Sequence, residues 1–164
     1  MQNIILNHEQ VQQKIERIAY QILEDNFNEP TITLVGIANT GYNFAEAIST
    51  VLNKISDINI ELIKLKIDKK NSIECLNNPQ SLPIGKESVV ILIDDVLNSG
   101  ETLMNSSFIL LKHGVKKLRT AVLLDRRHRL FPIKADFAGL TLSTTLEEHI
   151  EVEFSNNKFI ATLN

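Results

Sequence analysis

The residues most able to do chemistry lie in one stretch, Val89-Val90-Ile91-Leu92-Ile93-Asp94-Asp95-Val96-Leu97-Asn98-Ser99-Gly100-Glu101-Thr102. A continuous apolar run ends in two adjacent carboxylates. Ser99 and Thr102 then place hydroxyls on either side of Gly100, where a helix is expected to begin. Unpaired backbone N–H groups at such a start point outward and, with the helix dipole, stabilise a phosphate. Glycine lets the backbone come close to the anion. Asp94 and Asp95 are acceptors and cannot bind that phosphate; they suit sugar hydroxyls, or a Mg²⁺ ion carrying a polyphosphate. A phosphate cup one short turn from a carboxylate pair fits a 5-phosphoribosyl group. Two other readings compete. One is a solvated strand end followed by a polar helix cap. The other is a receiver domain, rejected because its paired aspartates follow the first strand and these come mid-chain.

The elements that must position this stretch alternate along the chain. Asn7 and Gln10 form an expected capping box, and Val11, Ile15, Ile18, Ala19 and Ile22 recur at helical spacing, giving a helix over about 8–25. Glu29-Pro30 breaks it. Thr31 to Ile37 reads as a buried parallel strand. Phe44, Ala45, Ile48, Val51, Leu52 and Ile55 mark a second helix, and 58–67 a second strand. Residues 68–87 lack periodicity and are expected to be a functional loop. Val89 to Ile93 reads as a central strand, 100–113 as a helix stopped by Gly114, 118–124 as another strand, and the chain from Phe137 as shorter strands. The natural architecture is α/β, a doubly wound, mostly parallel sheet, and ligands of such sheets sit beyond the carboxyl ends of the strands.

Bulk composition narrows the class. With 164 residues, 43% hydrophobic and 23% charged, the chain makes one domain, 1–164, neither disordered nor membrane-spanning. The start of the chain has no positive head, so no signal peptide is expected. A lone cysteine, Cys75, fits a reduced cytosol, and a cytoplasmic location is expected. Net charge of −3 argues against a protein whose main work is wrapping nucleic acid.

The segment from Asp94 to Thr102 resembles the phosphoribosyl pyrophosphate motif of type I phosphoribosyltransferases. The run Ala121-Val122-Leu123-Leu124-Asp125-Arg126-Arg127-His128-Arg129 with Ile133-Lys134-Ala135-Asp136 narrows the resemblance. It is similar to the Asp-Arg-Gly-His-Arg and Ile-Arg-Ala-Asp stretches of the bifunctional pyrimidine-operon attenuator and uracil phosphoribosyltransferase family. Resemblance extends over roughly residues 8–154, including Leu34-Val35-Gly36-Ile37. It implies the type I fold with a small hood, here the 68–87 loop, and a homodimer or higher oligomer. Asp94 and Asp95 would bind ribose hydroxyls with Mg²⁺. The backbone of Val96, Leu97, Asn98, Ser99, Gly100, Glu101 and Thr102 would hold the 5′-phosphate. Ala38, Asn39, Thr40 and Gly41 would belong to the pyrophosphate loop. Asp125 would sit by the metal and Arg129 by the pyrophosphate, with Arg126 and His128 lining the substrate. The implied reaction transfers 5-phosphoribosyl from phosphoribosyl pyrophosphate to uracil, giving UMP; a regulator binding RNA and a weakly catalytic nucleotide sensor are the alternatives.

Three departures from that family shape the expectation. The segment Gly36-Ile37-Ala38-Asn39-Thr40-Gly41 lacks the usual Lys and Arg. Losing two charge-assisted hydrogen bonds weakens pyrophosphate binding by roughly a hundred-fold or more. Glu101 stands where an Arg is usual, and Asn98 replaces a Tyr and cannot titrate. In the first helix Glu16 and Tyr20 replace RNA-facing residues and only Arg17 is kept, so specific RNA binding is not expected. Lys64, Lys66, Lys69 and Lys70 are either hood residues facing an anion or an edge-strand charge row. His8, His113 and His149 read as surface or cap residues.

Overall fold

The computed structural model describes residues 3–67, 73–75, 82–145 and 147–164. Its elements are β1 (Asn3–Leu6), α1 (His8–Asn26), β2 (Thr31–Ile37), α2 (Ala38–Ile55), β3 (Asn59–Ile67), β4 (Ile73–Cys75), β5 (Val89–Leu97), α3 (Glu101–Lys112), β6 (Lys117–Asp125), β7 (Phe137–Thr141), β8 (Ile150–Ser155) and β9 (Lys158–Leu163). Five strands form a parallel sheet in the order β3-β2-β5-β6-β7, with β4 antiparallel on the β3 edge. The fold is the doubly wound α/β architecture expected. A separate antiparallel sheet, β1-β9-β8, joins the two ends of the chain.

Alternation along the central strands explains the layering. Ile32, Leu34, Ile91, Ile93, Ala121 and Leu123 face one side and meet Ile15 of α1, Phe44 and Ile48 of α2, and Phe159 of the small sheet. Val35, Ile37, Val90, Leu92 and Val122 face the other and meet Leu103 and Leu110 of α3. Strands buried on both faces read as unbroken apolar runs, which is why Val89–Ile93 carries no period-2 pattern.

The chain leaves β2 for α2 and β3 on one side, and β5 for α3 and β6 on the other. The strand order therefore reverses between β2 and β5, and the crevice at their carboxyl ends is where such sheets bind ligands. Both Ala38–Gly41 and Asp94–Thr102 arrive there.

Three expected boundaries move. Helix α2 begins at Ala38, so the supposed 36–41 loop is the end of β2 and the first helical turn. Strand β5 continues through Leu97, so Asp94 and Asp95 belong to it. The 68–87 loop contains β4, which forms an antiparallel pair with β3. Residues 68–72 and 76–81, with Lys69, Lys70 and most of the expected hood, lie outside the described residues.

Candidate active site

The helix starts differ in a way that marks the site. Helix α1 is closed by its own side chains: Gln10 N–H donates to Asn7 Oδ1, and Asn7 N–H to Gln10 Oε1, both at 2.9 Å. Helices α2 and α3 have no side-chain cap. Apart from Glu101 N–H, which donates to Ser99 Oγ, no side chain of a cap residue occupies their first-turn N–H groups, and these can meet an anion. These are the two helices that follow β2 and β5, so two anion-attracting starts flank one crevice.

The α3 start is the cup anticipated from sequence. A cavity of about 60 Å³ is lined by Asp94, Val96, Leu97, Asn98, Ser99, Gly100, Glu101, Thr102, Leu103 and Val122. Gly100 caps the helix at φ 89°, and a Cβ there would lie 2.6 Å from Ile133 Cγ2, so both conformation and space require glycine. The Leu97 side chain is in the core and contributes backbone only. Ser99 Oγ accepts from Glu101 N–H at 3.3 Å.

At the α2 start, Ala38 sits at φ 46°, an uncommon conformation for a residue with a Cβ. Gly41 is buried against the carboxylate pair: a Cβ on it would stand 3.0 Å from Asp94 Oδ1. The first turn of α2 therefore touches Asp94 directly. Its segment holds no cation, and Lys64 of β3 lies next to the residue that follows it, with Nζ 5.3 Å from the centre of the Tyr42 ring. Sequence alone left Lys64 ambiguous; the Gly36–Lys64 register is what brings it here.

Asp94 and Asp95 lie at the meeting point. Asp95 N–H donates to Asp94 Oδ1 at 2.9 Å and Val96 N–H to Asp95 Oδ1 at 2.8 Å. Burial pushes the Asp94 carboxyl well above the usual carboxylate range, and the Asp95 charge pushes it further. Burial also raises Asp95, against the hydrogen bonds it accepts. Neither forms an ion pair among the described residues. Such a pair is suited to neutral hydroxyl donors or to a bound cation.

The segment after β6 behaves differently from expectation. Arg129 grips Asp125 with two parallel bonds, NH1 to Oδ1 at 2.8 Å and NH2 to Oδ2 at 2.7 Å, and its Nε donates to Ile133 O at 2.7 Å. Burial is the largest single influence on Asp125 and opposes its ionisation, but the Arg129 hydrogen bonds, the Arg127 N–H and the charges of both arginines together outweigh it and hold the carboxyl below its ordinary value. Two residues expected to face metal and pyrophosphate thus bind each other. Arg126, expected at the substrate, is only 6% exposed. Its Nε donates to Thr144 Oγ1 at 2.7 Å, one terminal nitrogen to Thr145 O at 3.0 Å, and the other to Asn98 Oδ1 at 3.4 Å. It braces the cup from behind, because a guanidinium brought inside needs all its donors satisfied. His128 Nε2 is 2.7 Å from Thr144 O. Thr144 and Thr145 carry no signal in sequence, since the site residues they hold, Arg126 and His128, lie 16–19 residues away. Asp136 latches this segment to β6 by accepting Thr120 N–H at 2.9 Å.

The parallel sheet with its strand-order reversal, flanked by helices on both faces, is the type I phosphoribosyltransferase fold. The phosphoribosyl transferase domain family matches residues 1–155, and the chain belongs to that family. It is 34% identical over 160 residues to the Bifunctional protein PyrR of Haemophilus ducreyi, covering 93% of this chain and 89% of that one. It is 33% identical to the Bifunctional protein PyrR of Clostridium novyi, over 93% and 90% of the two chains. Among solved structures, a hypoxanthine-guanine phosphoribosyltransferase from Bacillus anthracis superposes with a TM-score of 0.78 at 20% identity, covering 99% of this chain and 98% of that one. At that identity the likeness concerns the fold.

Proposed function

We propose that the chain transfers 5-phosphoribosyl from phosphoribosyl pyrophosphate to a pyrimidine, with uracil as the base and UMP and pyrophosphate as products. The observation that carries this reading is the pair of uncapped helix starts on either side of Asp94 and Asp95. One start takes the 5′-phosphate, the other the pyrophosphate, and the carboxylates take the ribose between them. Uracil rests on the resemblance of the 121–136 segment, reinforced by the PyrR relatives.

The reaction breaks the bond from the anomeric carbon to pyrophosphate oxygen and forms one to a ring nitrogen of the base, which loses its proton. Positive charge grows on the sugar and negative charge on the leaving group. N–H groups of Asn98–Thr102 anchor the 5′-phosphate and so fix the anomeric carbon in space. Asp94 and Asp95 accept from ribose hydroxyls and stabilise the cationic sugar. The first turn of α2, with Lys64 beside it, receives the departing pyrophosphate. Two adjacent carboxylates with no protein cation suit Mg²⁺, which in such sites is held by one or two carboxylates plus substrate phosphates. No cluster of three or more metal-ligating residues exists among the described residues, in keeping with an ion that arrives with its polyphosphate. When bound it supplies charge neutralisation of the pyrophosphate.

Pyrophosphate release with Mg²⁺, measured separately with uracil, hypoxanthine, guanine, adenine and orotate, tests the reading. Turnover with uracil alone is expected, and Asp95→Asn should abolish most of it. Lys64→Met should raise KM for phosphoribosyl pyrophosphate about tenfold, the scale of one charge-assisted hydrogen bond. Turnover with purines only would overturn the pyrimidine assignment.

A nucleotide sensor is favoured by one observation, the absence of any cation in Ala38–Gly41. It predicts UMP binding without turnover. We do not assign specific RNA binding: Arg17, the kept cation of α1, donates to Gln21 Oε1, Ala138 O and Gly139 O, and Glu16 is exposed beside it. Tight, sequence-specific RNA binding at physiological salt would reverse that. The assembly proposed is a homodimer.

A further inference from the structure

Arg126 carries a full charge almost out of water, and its direct partners do not neutralise it. It is 6% exposed and makes no ion pair among the described residues. The groups it meets are neutral oxygens: Thr144 Oγ1 at 2.7 Å, Thr145 O at 3.0 Å and Asn98 Oδ1 at 3.4 Å. Glu148 belongs to the same loop, but it accepts Thr145 N–H at 2.7 Å and the Thr145 hydroxyl at 3.0 Å. Buried charges are normally paired, because neutral partners restore only part of the hydration that is given up. A cation held this way behind an open cavity is complementary to an anion that enters it.

Asn98 is the part of the cup that Arg126 touches, and the contact fixes which way its carboxamide faces. A guanidinium only donates, so the Asn98 carbonyl oxygen must be turned toward it, which turns Nδ2 away. Asn98 lines the cavity of about 60 Å³ together with Ser99, Gly100, Glu101 and Thr102. Its Nδ2 has no hydrogen-bond partner among the described residues, so both N–H groups are open to a ligand. A cation drawing on the amide oxygen polarises those N–H groups and makes them stronger donors. Asn98 therefore offers donors only. Glu101, at the other side of the cup, opposes an anion, and Arg126 behind Asn98 supplies charge of the opposite sign.

We propose that the Asn98 side chain binds the ligand's phosphate, and that Arg126 is a positioning residue that orients the carboxamide and gives the cup its positive field. The proposal rests on the phosphoribosyl reading of the cup and deepens it. Recognition of the phosphate passes from the backbone alone to a side chain whose direction another side chain sets. Thr144 and Thr145 hold the guanidinium from its far side, so the loop after β7 bears on phosphate affinity without touching the ligand.

Calorimetry of the full chain with ribose 5-phosphate and with uridine tests it. Asn98→Asp is the deciding variant: it keeps the shape and improves the contact with Arg126, but puts an acceptor where two donors stood. It should bind ribose 5-phosphate about thirty-fold or more weakly than the wild type, the scale of one charge-assisted hydrogen bond. Its affinity for uridine should be unchanged and its melting temperature no lower, whereas a purely structural Asn98 predicts no loss for either ligand. Asn98→Ala should lose about tenfold for ribose 5-phosphate. Arg126→Lys keeps the charge without the fork; it should also weaken that ligand, and in its background Asn98→Ala should cost less. If Arg126→Lys fails to fold, the variants of the exposed Asn98 decide the matter. Undiminished binding of ribose 5-phosphate by Asn98→Asp, or an equal loss for uridine, would overturn the proposal. Either result leaves the uracil assignment standing, because that is read from turnover; a wild-type chain that binds no ribose 5-phosphate would sink both.

Discussion

Asp94 and Asp95 are held close together and partly out of water, without a protein cation to offset them. Burial and mutual repulsion both oppose ionisation of Asp94. An arrangement of this kind is a burden on the free fold, which the sugar of the proposed reaction would relieve, the trade between stability and activity common at such sites. Asp94→Asn keeps an oxygen for the Asp95 N–H while removing one charge. It should raise the melting temperature of the free protein at neutral pH by a few degrees, since about 1 kcal/mol moves Tm by roughly 2–4 °C at this size. Thermal melts with and without UMP check it: the variant should start higher and gain less from the nucleotide. Asp125 is the contrast, a carboxylate whose bidentate partner Arg129 stabilises its charge. The difference between these aspartates was hidden in sequence. Both follow apolar strands, and only the Arg129 side chain, four residues on, separates their roles.

At the scale of elements, the site is two strand-to-helix turns brought together by the reversal of strand order. The β5–α3 turn was legible because everything it needs is contiguous: apolar run, carboxylates, glycine, hydroxyls. The β2–α2 turn was only half legible. Ala38-Asn39-Thr40-Gly41 has Asn, Thr and Gly, which disfavour helix, and the family resemblance implied a loop there. Packing of Gly41 onto Asp94 overrides that local preference. The small sheet was only partly legible: β8 and β9 are among the shorter strands expected after Phe137, whereas β1 is four residues long and pairs with β9 at the far end of the chain. Gly100→Ala probes the legible turn. A Cβ there meets Ile133 Cγ2 at 2.6 Å and the backbone is at φ 89°. The substitution should cost about 1–3 kcal/mol. It should also weaken binding of inorganic phosphate or UMP more than that of uracil, which calorimetry with each ligand distinguishes.

At the scale of the molecule, α1 must be held against the parallel sheet, because its buried stripe of Val11, Ile15, Ile18, Ala19 and Ile22 closes one side of the core. Its far end is pinned by charge. Asp25, in the last turn, accepts from Arg119 Nε at 3.0 Å and lies 2.8 Å from Lys117 Nζ, both on β6. A carboxylate at a helix C-terminus opposes the dipole, so the two β6 cations must supply what makes it favourable. They do: the Arg119 hydrogen bond, working against burial and aided by Lys117, holds the Asp25 carboxyl below its ordinary value. A carboxyl depressed in the folded state stabilises at every pH above its unfolded pKa of about 3.9. That contribution disappears as pH falls through the lower, folded value. Asp25 is 30% exposed, so its worth is that of a partly screened pair, about 1 kcal/mol or less. Asp25→Asn should therefore melt a few degrees below the wild type at pH 7, and the two curves should converge as the pH drops below about 4. A gap that stays constant down to pH 2.5 would mean that the side chain acts through its shape and hydrogen bonds, and that charge does not fasten α1 to the sheet.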